Sequence, residues 1–193
     1  DYPDLTLAPL AEDFTRALSL PAAVTGHPVV GFFPGSTIGN LTPEEAQFFL
    51  RDARRLAGPG GAMLVGVDLK KDPAVLHAAY NDAQGVTAAF NLNLLTRINR
   101  ELGADFDPAQ FCHIAFYDAA AGRIEMHLES RCAQTVSVAG RRFVFAAGER
   151  LHTENSCKYS INEFRQLAQS AGFSAREVWS DPQQYFAVHL LET

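Results

Sequence analysis

The chain has 193 residues, of which 47% are hydrophobic and 20% charged, with a formal net charge of -6. That length and apolar share suffice for one compact domain or two small ones, and the acidic balance removes the electrostatic reason to expect a nucleic-acid partner. The longest apolar runs, such as Ala62 to Val67, fall far short of a bilayer span, and Asp1 to Leu20 lacks the basic start and apolar centre of a secretory signal, so the cytoplasm is the expected location. Cys112, Cys132 and Cys157 are odd in number and widely spaced, which fits buried thiols rather than a disulfide framework or a zinc site. The six histidines are scattered without ligand spacing, so no metal is implied.

In chain order, Leu5 to Leu10 is a short apolar segment running into Glu12-Asp13-Phe14, which reads as a strand end entering a turn. Val29 to Phe33 reads as a buried strand that stops in Pro34-Gly-Ser-Thr-Ile-Gly-Asn40. Pro34, Gly35 and Gly39 let that backbone turn and approach a ligand, and in a parallel sheet ligands sit beyond the carboxyl ends of strands. Asn40 is then placed to grip polar atoms of a small molecule, or simply to cap the helix that follows. Pro43 to Leu56 carries apolar residues at helical spacing, with Thr42 as N-cap and Glu45 completing a capping box; Gly58-Pro-Gly-Gly61 stops it. Ala62 to Val67 reads as a second buried strand ending at Asp68, which makes a βαβ unit with a parallel sheet.

After Lys70-Lys71-Asp72 the pattern changes. Ala74 to Asp82 and Val86 to Leu102 read as helices separated by Gly85, the second mixing amides into an apolar face. From His113 onward the chain alternates, and Ile124 to Ser130, Thr135 to Val138, Arg142 to Phe145 and Arg150 to Glu154 read as antiparallel strands of a separate small α+β layer. A helix from Ile161 to Ala171, stopped by Gly172, precedes strands near Phe173 to Ser180 and Tyr185 to Leu191, which Asp181-Pro-Gln-Gln184 joins as a hairpin.

Phe33-Pro-Gly-Ser-Thr-Ile-Gly-Asn40, Gly66 to Asp72, Ala79-Tyr-Asn-Asp82, Gly85 to Leu95, Arg97 to Asp105, Glu125-Met-His127 and His152-Thr-Glu-Asn-Ser156 together resemble the histidine-specific Nα-methyltransferases, over nearly the whole chain. The resemblance implies an S-adenosylmethionine-dependent enzyme that trimethylates free L-histidine to hercynine in ergothioneine biosynthesis, monomeric at full length. It implies that Asp13 and Phe14 hold the adenine of the methyl donor and that Gly35 borders the donor. Asn40 would bind the amino and carboxylate ends of the substrate, and Tyr80 its carboxylate. Glu154 and Ser156 would hydrogen-bond the imidazole, with Met126 packed beside the ring. Taken one at a time, Tyr80 also reads as a packed aromatic, Met126 as core filler and Glu154 as a solvated charge at a strand end. No residue is assigned to acid-base catalysis, because transfer from a sulfonium needs the amine positioned more than activated.

Two departures stand out. The family's glycine-rich donor turn and the acidic residue after the next strand have no counterpart upstream of Asp13, so the chain reads as the C-terminal part of a longer enzyme, with an exposed sheet edge and weak or no donor binding alone. Asn155 and Cys157 differ around Glu154 and Ser156, which leaves the exact substrate open. The expected architecture is a Rossmann-like class I methyltransferase core, α/β, over residues 1–69 and 159–193, its N-terminal strands missing, with an inserted α+β substrate-binding domain over 70–158. Methylation of another amino acid or amine, or a non-catalytic fragment, are the alternatives; a nicotinamide-dependent oxidoreductase is more distant, since no dinucleotide fingerprint is present.

Overall fold

The computed structural model describes residues 5–16, 18–24 and 26–193; residues 1–4 and 17, which belong to the segment read above for signal character, and residue 25 lie outside the described residues. In chain order the elements are β1 (Val30–Phe33), α1 (Pro43–Ala57), β2 (Ala62–Asp68), α2 (Pro73–Tyr80), α3 (Val86–Leu102), β3 (Phe111–Asp118) and β4 (Arg123–Ser130). They continue with β5 (Gln134–Val138), β6 (Arg141–Phe145), β7 (Arg150–Cys157), α4 (Ile161–Ser170), β8 (Ser174–Ser180) and β9 (Phe186–Glu192). Two compact units result, Asp1–Lys70 with Lys158–Thr193, and Lys71–Cys157. No described helix is long and apolar enough to cross a membrane.

The first unit is built on a mixed sheet of order β1-β2-β9-β8. β1 and β2 are parallel and joined through α1, the βαβ unit expected of a Rossmann-like core, and β9 runs antiparallel to both β2 and β8. Thr42 caps α1 through a full capping box, its hydroxyl accepting from Glu45 N–H while the Glu45 carboxylate accepts from Thr42 N–H. That arrangement excludes Asn40 as the cap. Ala46, Leu50 and Ala57 of α1 are buried, as are Met63, Val65 and Val67 of β2. Among the described residues Leu5 to Leu10 forms no strand and its leucines are exposed, so only the turn at Asp13 to Arg16 remains of that expectation. β1 presents Val30 and Phe32 outward, at 60% and 73% exposure.

His189 sits at the centre of this unit, fully buried on β9 and tilted against Phe164 of α4, with neither ring nitrogen hydrogen-bonded. Burial first, and the positive Arg165 second, push its pKa down to about 4 from 6.5. The folded form therefore holds the ring neutral while the unfolded chain takes up a proton, so stability is lost as pH falls below about 6.5 toward 4. Denaturant titrations at pH 7 and pH 5 are expected to show about 2 kcal/mol more acid destabilisation in the wild type than in His189→Leu. Equal losses in the two proteins contradict this role.

The second unit is a sheet of order β3-β4-β7, antiparallel throughout, with a β5-β6 hairpin and two helices. β3 is the strand that the alternation after His113 does not delimit. Along β4 the burial alternates, Ile124, Met126, Leu128 and Ser130 being buried and Arg123, Glu125, His127 and Glu129 half-buried. Leu95 of α3 packs with Leu128, Phe106, Phe111, Val136 and Phe145, and Leu76 of α2 packs with Ala115, Ile124 and Met126. The inward face of β4 is thus the one covered by both helices. α2 ends at Tyr80, two residues before the expected Asp82, because the Asp82 carboxylate caps α3, accepting from Val86 and Thr87 N–H, which pushes its pKa down to about 2. Asn99 explains one amide on α3: it clamps the backbone of Phe106 through both its carbonyl and its amide nitrogen.

Candidate functional site

In the first unit, the loop after β1 is shaped by its own small residues. Gly35 has φ +73° and Ser36 φ 58°, and the turn Thr37–Asn40 is anchored by fully buried Ile38. The Ser36 hydroxyl accepts from Asp68 N–H at 2.8 Å, which straps the loop to the carboxyl end of β2. Gly66 permits that approach, since a Cβ there would stand 2.7 Å from the Phe186 ring and 3.1 Å from Gly35 N. Asn40, last in the turn, is exposed. The β2 end is fixed by the pair Lys158 Nζ to Asp68 Oδ2 at 2.6 Å, with the lysine side chain fully buried.

Asp13 and Phe14 lie in a turn of the same unit. The Asp13 carboxylate accepts from Thr15 N–H and its hydroxyl, which holds its carboxyl below the usual range, and it forms an exposed pair with Arg16. The Phe14 ring packs edge-on against Phe33 and Phe49, at 5.5 and 5.9 Å between centroids, and stays 40% exposed. A cleft lined by Leu20, Val24, His27, Val29, Leu56 and Pro59 among others lies at the start of β1 and takes in none of Asp13, Phe14, Gly35 and Asn40.

In the second unit, Tyr80, Met126, Glu154 and Ser156 come together on the inward face. Ser156 lies opposite Ile124 and Glu154 opposite Met126, so all four share one side of the β4–β7 ladder. The Tyr80 hydroxyl donates to Ser156 Oγ at 2.9 Å, and its ring packs on the Leu76, Ile124 and Met126 cluster. Met126 is buried at 3% exposure, so it is core as well as neighbour to the polar pair. Glu154 is half-buried and mid-strand, since the ladder continues through Asn155, Ser156 and Cys157; the polar run after Glu154 hides that continuation in the sequence. Of the thiols, Cys157 is buried, while Cys112 and Cys132 are half-buried.

Two residues missed by sequence reasoning hold Tyr80 in place. His113 Nε2–H donates to Tyr80 O at 2.9 Å, which leaves Nδ1 to accept from the Asn91 amide at 3.0 Å, and Asn91 also donates to His127 O. Asn91 is 4% exposed on α3, and the mixing of amides into that helix's apolar face was the available signal. Asn91→Leu is expected to cost about 2 kcal/mol in chemical denaturation, because it leaves a buried ring nitrogen and a carbonyl unpartnered. A change within about 0.5 kcal/mol, the range of a neutral surface substitution, contradicts the relay.

The outward face carries a different group. The Arg123 guanidinium and, less strongly, His127 Nε2–H hold the Glu125 carboxyl below its usual range. Phe116, His127 and His152 stack in sequence, at 5.4 and 4.5 Å between centroids. Glu125, His127 and His152 have ligand atoms within 4.8 Å of one another, yet the two imidazole planes lie 16° from parallel. Their in-plane lone pairs run side by side instead of converging on one ion, and Glu125 is committed to Arg123. The arrangement is a hydrogen-bonded stack.

Comparison with known proteins adds the decisive finding. The family described as histidine-specific methyltransferase, SAM-dependent, matches residues 1–193. The chain belongs to this family. It is 44% identical over 193 residues to the histidine N-alpha-methyltransferase of Mycolicibacterium smegmatis, covering 98% of this chain and 59% of that protein. It is 43% identical over 160 residues to the histidine N-alpha-methyltransferase of Mycobacterium tuberculosis, covering 82% of this chain and 50% of that protein. Ergothioneine biosynthesis protein 1 of Neurospora crassa is 33% identical over 160 residues, covering 81% of this chain and 18% of that protein. The chain therefore spans about half the length of the two bacterial family members.

Proposed function

We propose that this chain serves S-adenosylmethionine-dependent Nα-methylation of L-histidine, giving N,N,N-trimethylhistidine for ergothioneine biosynthesis. The observation that carries the reading is the Tyr80–Ser156 hydroxyl pair beside Glu154 on one face of the β4–β7 ladder, in a chain of the histidine-specific family. Glu154 accepts from one imidazole N–H and the Ser156 hydroxyl meets the other ring nitrogen, with Met126 against the ring. Such a polar pair favours an imidazole over side chains that bring neither an N–H nor a ring nitrogen to it. Tyr80 turns its hydroxyl proton from Ser156 to the substrate carboxylate, and Asn40 of the first unit is the family resemblance's candidate for the amine and carboxylate ends.

The donor, when bound, supplies a methyl group on a sulfonium with its leaving group built in. Residues of the first unit fit it. Asp13 spends its outer oxygen on an exposed pair with Arg16, worth little in water and readily exchanged for an exocyclic amine. Phe14 keeps part of its ring accessible, and Gly35 has nothing within 4 Å of where a Cβ would stand. The nitrogen gives up a proton to water before each transfer, first from the substrate ammonium and then from its mono- and dimethylated forms, and the third transfer leaves a quaternary nitrogen with no N–H. Positioning thus carries the rate, with no general base required of the chain.

The test is to incubate the native protein with S-adenosylmethionine and each amino acid and follow products by mass spectrometry. Histidine gaining one to three methyl groups, with other amino acids unmodified, is the expected result. Methylation of another amine in its place removes the substrate assignment, and no methylation of any amine removes the activity.

A further inference from the structure

The face on which Glu154 stands is decided by a single extra residue. From Arg150 to His152 the β7 strand pairs residue for residue with Glu129 to His127 of β4, and from Glu154 onward it pairs with Met126, Glu125, Ile124 and Arg123 in turn. Thr153 is left over, a bulge between the His127↔His152 and Met126↔Glu154 pairs. Without it, uninterrupted alternation would set Thr153 opposite Met126 and Glu154 opposite Glu125, on the outward face and carboxylate against carboxylate. With it, Glu154 and Ser156 both turn inward beside Met126 and Tyr80, while His152 remains outward over His127.

Two side chains hold this bulge. The Thr153 hydroxyl donates to the Met126 carbonyl at 2.9 Å, across the ladder. His152 Nε2–H donates to the carbonyl of Glu154 itself at 3.2 Å, and since that partner is an acceptor the proton resides on Nε2. The His152 ring is kept in place by stacking on His127, which in turn is stacked on Phe116 and tied to Glu125. The Glu125 and His127 part of the array has no other use in the site described above, since all of it lies on the face away from the Tyr80–Ser156 pair.

We propose that Thr153 and His152 are positioning residues for substrate recognition: they pin the β7 bulge that turns the Glu154 carboxylate to the substrate-binding face. The inference rests on the reading of Glu154 as the imidazole acceptor. It requires no contact between either residue and the substrate, and it gives the outward stack of Phe116, His127 and His152 a task.

The test compares Thr153→Val, which keeps the shape and removes the hydroxyl, with Thr153→Ser, which restores it, and with His152→Phe, which keeps the stack and removes the N–H. Steady-state kinetics on the native protein are expected to show the KM for histidine raised about fivefold in T153V and about threefold in H152F, the sizes expected for one hydrogen bond each. The kcat and the KM for S-adenosylmethionine are expected to stay within about twofold, with T153S close to wild type. A loss that is merely one of stability lowers the active fraction and moves kcat, and thermal melting of each variant separates that case. In parallel, the methyl resonance of Met126, assigned with 13C-labelled methionine, is expected to shift in T153V and return in T153S. An unchanged histidine KM in both T153V and H152F overturns the inference. If the wild type turns over no histidine, the proposed function fails on its own, and the Met126 resonance then decides: a shift in T153V reversed in T153S sustains the positioning role, an unmoved resonance overturns it.

Discussion

Replacing Lys158 with Met is expected to destabilise the protein by about 3 kcal/mol, because it removes the buried cation that faces the Asp68 carboxylate at a half-buried strand end. The lysine side chain is fully enclosed and its ammonium lies 2.6 Å from Asp68, whose side chain is 19% exposed, so water replaces the lost cation only in part. For a chain of this size that corresponds to a fall of roughly 6 to 12 °C in melting temperature. The double replacement Asp68→Asn with Lys158→Met is expected to recover a substantial part, since the cost lies in the uncompensated charge and not in the absence of the pair. Asp68 N–H also holds Ser36 of the loop that carries Gly35 and Asn40, so the single variant is expected to loosen the site as well as the fold. A melting temperature within about 2 °C of wild type for K158M contradicts this account of the β2 end.

Glu154→Ala is expected to lower kcat/KM for histidine by about a hundredfold, the result of leaving an imidazole N–H without its acceptor in a half-buried site. Glu154→Gln keeps an oxygen in place but loses the charge, and about tenfold is expected for it. Neither change is expected to move the melting temperature by more than a few degrees, as Glu154 is no part of the two apolar clusters of its unit. Steady-state kinetics with melting curves on the same samples check both points. Loss of activity that tracks loss of fold, or full activity in E154A, contradicts the assignment of Glu154.

Much of the architecture was legible because short-range chemistry dictates it. The capping boxes at Thr42 and Ser160 start α1 and α4, and α3 runs from Val86 to Leu102 as its apolar spacing predicts, between Gly85 at φ +70° and Gly103 at φ +60°. The loop from Pro34 to Asn40 stood out for the same reason, a break in an apolar run that needs small residues. Failures came where a long-range partner decides the outcome. Leu5 to Leu10 has strand-like composition but no strand beside it among the described residues. Asp82 looked helical by spacing, yet its carboxylate is claimed by the first N–H groups of the next helix. Glu154 looked terminal because Asn155 and Ser156 are polar, whereas cross-strand pairing with Glu125 and Ile124 keeps the strand going.

The candidate site divides along the same line. Tyr80, Met126, Glu154 and Ser156 were named through resemblance to a family, and nothing in their spacing announces that a hydroxyl at position 80 reaches one at 156. Asn91, His113 and Thr153 escaped notice because each acts on a backbone carbonyl or a ring of a distant element. Sequence patterns report periodicity along the chain, and these contacts cross between strands and helices many residues apart.

The measurement that bears most directly on the central claim is isothermal titration of the native protein with L-histidine and, separately, with each of the other amino acids. The account predicts that histidine binds and that others, including phenylalanine with its ring of similar reach, bind at least about tenfold more weakly, since they bring no imidazole N–H to Glu154 and no ring nitrogen to Ser156. Equal affinity across the series, or preference for an aliphatic side chain, would contradict it.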